Sequence, residues 1–169
     1  MANIIVISGK QYSGKDTLAK ILLERMPNYK RIGLGDAIKI EYGRRNNLTF
    51  EQIEKEKHLY RNDLIELGNW GRAQSPSYWL NKVADMDKII VPDVRMKFEV
   101  NYFKEKGATL IRVESDLENR SKRGVIVGLN DNTETELDDY DNWDYIVYNN
   151  SDYDSLIKEA EKLLNSFNV

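Results

Sequence analysis

Apolar runs and helical periodicity alternate from one end of the chain to the other. Asn3–Ser8 is an unbroken apolar run, the pattern of a strand covered on both faces. A glycine-rich turn follows, and Leu18, Ile21, Leu22 and Arg25 then keep helical spacing through Asp16–Met26 until Pro27 stops it. Tyr29–Leu34 reads as a second strand. Asp36 to Asp85 is helical throughout: Asp36 can cap Ala37–Asn46, Thr49 and Gln52 match a capping box, and Gly68 and Ser75-Pro76 are read as interruptions. Lys88–Pro92 is a buried strand running into Asp93, Met96–Lys106 a helix stopped by Gly107, and Ala108–Glu114 another strand. A short helix Leu117–Arg123, a loop Gly124–Asn132, a strand Trp143–Tyr148 and an amphipathic helix Asp152–Phe167, capped by Ser151 or Asp152, complete the chain. Strands separated by helices predict an α/β fold with a parallel sheet covered by helices on both faces. No repeat or linker breaks the pattern, so residues 1–169 are read as one domain.

Composition narrows the chemistry. The 169 residues include no cysteine and one histidine, His58, which excludes disulfides, thiolate catalysis and multi-histidine metal clusters. No apolar run approaches the roughly 18 residues that cross a bilayer, and the apolar stretch Ile4–Ile7 lacks the basic flank and cleavage site of a signal peptide, so a cytoplasmic protein without membrane partners is expected. The net charge of −3 argues against a binder of nucleic-acid polymers. Residues 130–144 hold seven acids and no base, while the remainder holds 25 Lys and Arg against 21 Asp and Glu. An acidic strip beside a mildly basic body permits a local anion-binding cleft.

Gly9-Lys-Gln-Tyr-Ser-Gly-Lys-Asp-Thr17 supplies that cleft. It fits G-x-x-x-x-G-K between a buried strand and a helix, the loop whose backbone N–H groups converge on phosphate oxygens. Gly9, Lys10, Ser13 and Gly14 build the loop, and Lys15 reaches the β and γ phosphates of ATP. The usual Ser or Thr after the lysine is Asp16 here, with the hydroxyl one step later at Thr17. A carboxylate beside a triphosphate needs Mg²⁺ or its water shell between them, so Asp16 and Thr17 are candidate metal ligands; the alternative is an acid merely favoured in a helix's first turn. Asp93, at the end of an apolar strand, is where a second acid reaches Mg²⁺ or orients the attacking phosphate; otherwise it caps the next helix.

Phosphoryl transfer spreads negative charge, so its sites gather cations. Lys39, Lys57, Arg61, Arg72, Arg95, Arg112, Arg120 and Arg123 are candidates, with Arg95 and Arg112 favoured by their strand positions. Lys57, Arg61 and Arg72 share a helix face if that helix is unbroken. Arg120 and Arg123 precede the loop to Asn132, together a short lid at about 117–133 that excludes water from bound nucleotide.

Several stretches then act together: Ser8–Asp16, Lys39-Ile-Glu-Tyr42, Lys57–Arg72, Asp93-Val-Arg95, Asn119–Gly124, and the acidic run to Trp143-Asp144 and Asn149. Over nearly the whole chain this resembles animal-type phosphomevalonate kinase, a P-loop fold of nucleoside-monophosphate-kinase type. The resemblance implies nucleotide-loop roles for Lys10, Lys15 and Asp16. It also implies acceptor contacts for Lys39, Lys57, Arg61, Arg72 and Arg95, and lid roles for Arg120 and Arg123. Met96 and Asn81 stand where that family has basic residues. Phage-type deoxynucleoside monophosphate kinases are also similar, through Thr17, Val91-Pro-Asp93, Gly107-Ala-Thr and Thr133-Glu134…Asn149. Both imply transfer of the γ-phosphoryl group of ATP, with Mg²⁺, onto a small phosphomonoester, with Lys15, Asp16, Asp93 and Arg123 as the catalytic set. Two other classes are a GTPase-like switch, for which N-K-x-D and D-x-x-G are missing, and a nucleotide-binding module without transfer.

Overall fold

The computed structural model describes residues 3–167. In chain order the elements are β1 (Ile4–Gly9), α1 (Lys15–Arg25), β2 (Lys30–Arg31), α2 (Asp36–Asn46), α3 (Phe50–Lys55), α4 (Lys57–Gln74) and α5 (Tyr78–Ala84). They continue with β3 (Ile89–Val91), α6 (Lys97–Glu105), β4 (Thr109–Glu114), α7 (Leu117–Arg123), α8 (Asn132–Thr135), β5 (Tyr145–Tyr148) and α9 (Tyr153–Phe167). The chain divides into two compact units, residues 1–31 with 87–169, and residues 32–86. The outermost positions of the expected 1–169 domain, 1–2 and 168–169, lie outside the described residues.

The larger unit holds a five-stranded sheet in the order β2-β3-β1-β4-β5, parallel at every pairing. β1 is central because its run is apolar on both faces. Ile5 and Ile7 join Ile90, Ile111, Val113 and Val147 under α1 and α9, whose Leu18, Leu22, Leu156 and Ala160 complete one core. On β1 the alternate residues Ile4 and Val6 are equally buried, and α6, with Val100 and Phe103 fully buried, packs against β1 and β4. The chain passes from β1 to β2 on one side and later from β3 across β1 to β4 on the other, and sheets wound this way bind ligands at the carboxyl ends of the strands near the crossing.

Several expected boundaries move. β2 shrinks from Tyr29–Leu34 to two exposed residues, because an edge strand with polar side chains has only β3 to hold it. β5 starts at Tyr145 rather than Trp143: the Trp143 indole N–H donates to the Tyr140 carbonyl, and the Asp144 carboxylate accepts the Leu110 N–H at 2.8 Å. α9 carries the expected cap, Asp152 accepting the Ser155 N–H at 2.9 Å.

The smaller unit is helical. The Thr49–Gln52 capping box is present, with reciprocal bonds of 3.1 and 2.8 Å. Asp36 is not the cap of α2. It lies in the first turn and accepts the Gly33 N–H at 2.7 Å instead. Gly68 does not interrupt α4, which runs 18 residues through it. The Gly68 carbonyl accepts the Trp79 indole N–H at 3.0 Å, so this glycine marks where α5 approaches α4 rather than a break.

Candidate functional site

The loop from Gly9 to Lys15 leaves the end of β1 and becomes the first turn of α1. Gly14 sits at φ +103°, a conformation glycine adopts freely, and a Cβ there would strike the Asn149 amide. That amide donates to the Ser13 carbonyl at 2.8 Å, locking the loop to the end of β5. Residues 11–17 and Arg123 line a cleft of about 520 Å³. Lys15 is 9% exposed, and Ser13 Oγ, also buried, has no hydrogen-bond partner among the described residues. Burial pushes the Lys15 ammonium below its usual pKa; Asp16 opposes the shift, Arg95 adds to it, and Glu134 and Asp93 oppose it more weakly. A desolvated lysine at a helix N-terminus is an arrangement that can receive a polyanion.

Asp16 and Thr17 are exposed on the cleft wall, the Asp16 carboxylate 3.8 Å from Lys15 Nζ and 4.0 Å from the Arg31 guanidinium. Asp93 acts electrostatically on Lys15 from the end of β3. At the start of α6 the half-buried Glu99 carboxylate takes the N–H groups of Arg95 and Met96, at 3.1 and 2.9 Å. Two carboxylates and a hydroxyl around a phosphate receptor are hard oxygen donors that fit Mg²⁺, which keeps phosphate and water among its ligands. Among the described residues no cluster of three or more His, Asp or Glu side chains closes on a metal without phosphate.

The two arginines expected on a lid rest on the loop. Arg120 is buried and donates to the Ser115 and Gln11 carbonyls, at 3.0 and 3.4 Å. Arg123 donates to the carbonyls of Tyr12 at 2.9 Å and Asn149 at 2.8 Å. Lys10 pairs with Asp138 at 2.9 Å. Arg112 takes no part in the cleft, against the expectation from its strand position. Its guanidinium is buried, donating to Ser8 Oγ and Glu114, each at 3.0 Å, and lying over the Trp143 ring.

Sequence reasoning did not assign Glu134. Its side chain is 2% exposed and lies 3.7 Å from Arg95 Nη1, with both carboxylate oxygens facing the Gln11 N–H at 3.3 and 3.4 Å. A signal existed in the acidic run: Glu134, Leu137, Tyr140 and Trp143 recur every third residue, the first two buried and the last two half-buried. Within the run, Glu136 and Asp139 hold the Lys97 N–H and ammonium, at 2.9 and 3.1 Å, while Asp131, Asp138, Asp139, Asp141 and Asp144 are exposed.

In the smaller unit, Lys39, Lys57, Arg61 and Arg72 line one cavity of about 320 Å³ with Gly35, Ile38, Leu64 and Ile65. Unbroken α4 brings three of them to one face. Glu54 holds Lys39 at 2.5 Å and Lys57 at 3.1 Å, and Asn69 holds Arg72 at 2.9 Å. Four aromatic residues of the unit are occupied elsewhere: Tyr42 against Tyr60, and Trp70, Tyr78 and Trp79 edge to face. Arg95, the fifth expected acceptor contact, belongs to the larger unit beside Glu134. His58 is exposed on α4.

A phosphomevalonate kinase family model matches residues 7–109, and a deoxynucleotide monophosphate kinase model matches residues 62–160. The phosphomevalonate kinase of Drosophila melanogaster is 30% identical over 173 residues, spanning 91% of this chain and 92% of its own. Among solved structures, APS kinase from Mycobacterium tuberculosis, in complex with AMPPNP and APS, superposes with a TM-score of 0.57 at 13% identity, covering 99% of this chain and 98% of its own. Shikimate kinase from Bacteroides thetaiotaomicron gives 0.56 at 16% identity, with 98% of each chain covered. These two likenesses bear on the fold, a P-loop kinase fold.

Proposed function

The chain belongs to the phosphomevalonate kinase family and is an ATP-dependent phosphotransferase with a small phosphate-bearing substrate; from that premise we propose that its acceptor is phosphomevalonate, converted to the diphosphate. The observation that carries the acceptor is the wall of the 320 Å³ cavity: four cations and three aliphatic side chains, and no aromatic ring. A nucleobase asks for a stacking surface and amide contacts, whereas a short aliphatic chain bearing a phosphate and a carboxylate asks for Lys and Arg over an apolar floor. The deoxynucleotide reading keeps one support, the family model over residues 62–160.

In this reading Gly9, Lys10, Ser13, Gly14, Lys15, Asp16 and Thr17 bind ATP with Arg120 and Arg123, and Lys39, Lys57, Arg61, Arg72 and Arg95 bind the acceptor. An acceptor phosphate is already ionised, so its oxygen attacks without a strong general base, and the protein's task is in-line placement and charge neutralisation. Lys15 and Arg123 balance charge on the transferring group, and Arg95 approaches it from the end of β3. Asp16, Thr17 and Asp93 would hold the Mg²⁺ that accompanies ATP, and that ion would neutralise phosphate charge. The chain acts as one kinase domain with residues 117–133 as its lid. Its lack of cysteine supports a cytoplasmic setting, and no helix among the described residues is long and apolar enough to cross a membrane.

An ADP-release assay with phosphomevalonate and each deoxynucleoside monophosphate in turn tests the acceptor. Turnover of phosphomevalonate is expected; turnover of a deoxynucleotide alone overturns the acceptor, and turnover of neither overturns the kinase.

A further inference from the structure

Gln11 occupies a variable position of the loop motif, and no role follows for it from the motif itself. In the structure it meets residues 120–134 at three points. Its N–H faces the Glu134 carboxylate, and its carbonyl accepts from Arg120. Its side chain bonds Val127 in both directions: Nε2 donates to the Val127 carbonyl at 2.6 Å, and Oε1 accepts the Val127 N–H at 3.2 Å. A carboxamide used this way copies one rung of a strand ladder. The neighbouring Tyr12 ring lies where any Cβ on Gly124 would fall.

The clasped segment has little else to hold it. Val125 is 80% exposed, Val127 71% and Leu129 44%, so no buried apolar side chain at these positions fixes its place. Segments with few buried contacts open at low cost, and a single bidentate bond then decides their position. Arg120 and Arg123 stand at the head of this segment and are held by their own bonds to Gln11, Tyr12 and Asn149, so the clasp acts on the residues beyond them.

We propose that Gln11 is a positioning residue for phosphoryl transfer: its carboxamide clasps residues 124–131 to the phosphate loop and so fixes the lid over the nucleotide. This rests on the kinase reading above. The clasp governs the partition of the γ-phosphoryl group between two oxygens. With the segment held, the acceptor oxygen forms the new P–O bond as the bond to ADP breaks. With it loose, water enters and supplies the oxygen instead, giving ADP, phosphate and a proton.

The test compares Gln11→Ala, Gln11→Glu, Val127→Pro and the Q11A/V127P double variant. Each is assayed for ADP formation with and without acceptor, with melting temperature recorded. Q11A removes both bonds. Q11E keeps the acceptor for the Val127 N–H but turns a carboxylate oxygen on the Val127 carbonyl. V127P removes the N–H from the opposite side, at an exposed position. For Q11A the expected result is a fall in kcat of about tenfold with the acceptor KM within about twofold. Acceptor-independent hydrolysis should rise relative to transfer; Q11E should resemble Q11A, and the double variant should be no worse than Q11A alone. Wild-type kcat and partition in Q11A, or multiplying effects of Q11A and V127P, overturns the clasp. If Q11A does not fold, V127P is read alone, and an unchanged partition there overturns it equally. Absence of wild-type turnover with every acceptor is a different result: it overturns the kinase reading, and the clasp with it.

Discussion

The phosphate loop and the cationic cavity, the two proposed anion sites, are built in opposite ways. The loop works through main-chain groups tied by partners far along the chain: Gln11 to Glu134, Tyr12 to Arg123, Ser13 to Asn149. The cavity works through exposed side chains on two helices of a 55-residue unit, steadied by the nearby residues Glu54 and Asn69. A backbone receptor admits one geometry and tolerates little change. A side-chain receptor can be retuned one residue at a time. Substitutions should separate the two regions.

The largest effect is expected at the loop. Lys15→Met should lower transfer by about 10²–10³-fold, with any folded variant retaining its secondary structure by circular dichroism; a smaller loss would remove the loop from the centre of the mechanism. Next comes the cavity. Arg61→Ala or Arg72→Ala removes a charge-assisted bond of about 1.5–3 kcal/mol, so the acceptor KM should rise about 10–100-fold while the KM for ATP stays within about twofold. Equal changes in both constants would erase the distinction between the regions. Glu134→Gln leaves an acceptor for the Gln11 N–H but takes the counter-ion from Arg95; urea unfolding should register a loss of about 1–3 kcal/mol. A wild-type midpoint would make that ion pair idle.

The smallest effect lies outside both regions. The Arg44 side-chain bond, aided by Arg45, holds the Glu41 carboxyl at about 2, below its ordinary 4.5. A depressed carboxyl stabilises the folded state above its unfolded pKa and loses that contribution as pH falls through the folded one. Glu41→Gln should therefore cost up to about 1 kcal/mol at pH 7 and nothing near pH 2, read by urea unfolding at each pH. A pH-independent difference would assign the loss to packing.

How well each region could be read from sequence follows the same division. β1, the loop and α1 were legible because strand, glycines and helix are contiguous, so local pattern and final geometry coincide. β3, β4 and α9 were legible for the same reason. Arg112 misled because strand position says nothing about which face a side chain takes or what is waiting there; Ser8 and Glu114 were. Gly68 misled because its carbonyl serves Trp79, a partner eleven residues on. Glu134 was hidden by its acidic neighbours, although the three-residue step through Leu137, Tyr140 and Trp143 marked it as inward-facing. What local pattern could not supply was pairing across more than a hundred residues.

The unbroken course of α4 has a metric consequence. At 1.5 Å per residue, the backbones of Arg61 and Arg72 stand about 16 Å apart along a rigid rod. Their long side chains shorten that gap without closing it, so the helix serves as a ruler. On the proposed acceptor reading, molecules with one anionic end would engage a single mark, while those with anions at both ends and the right span would engage two. Inserting one residue between the marks would lengthen the ruler and swing Arg72 by about 100° off the shared face, converting a gauge of length into two unrelated charges.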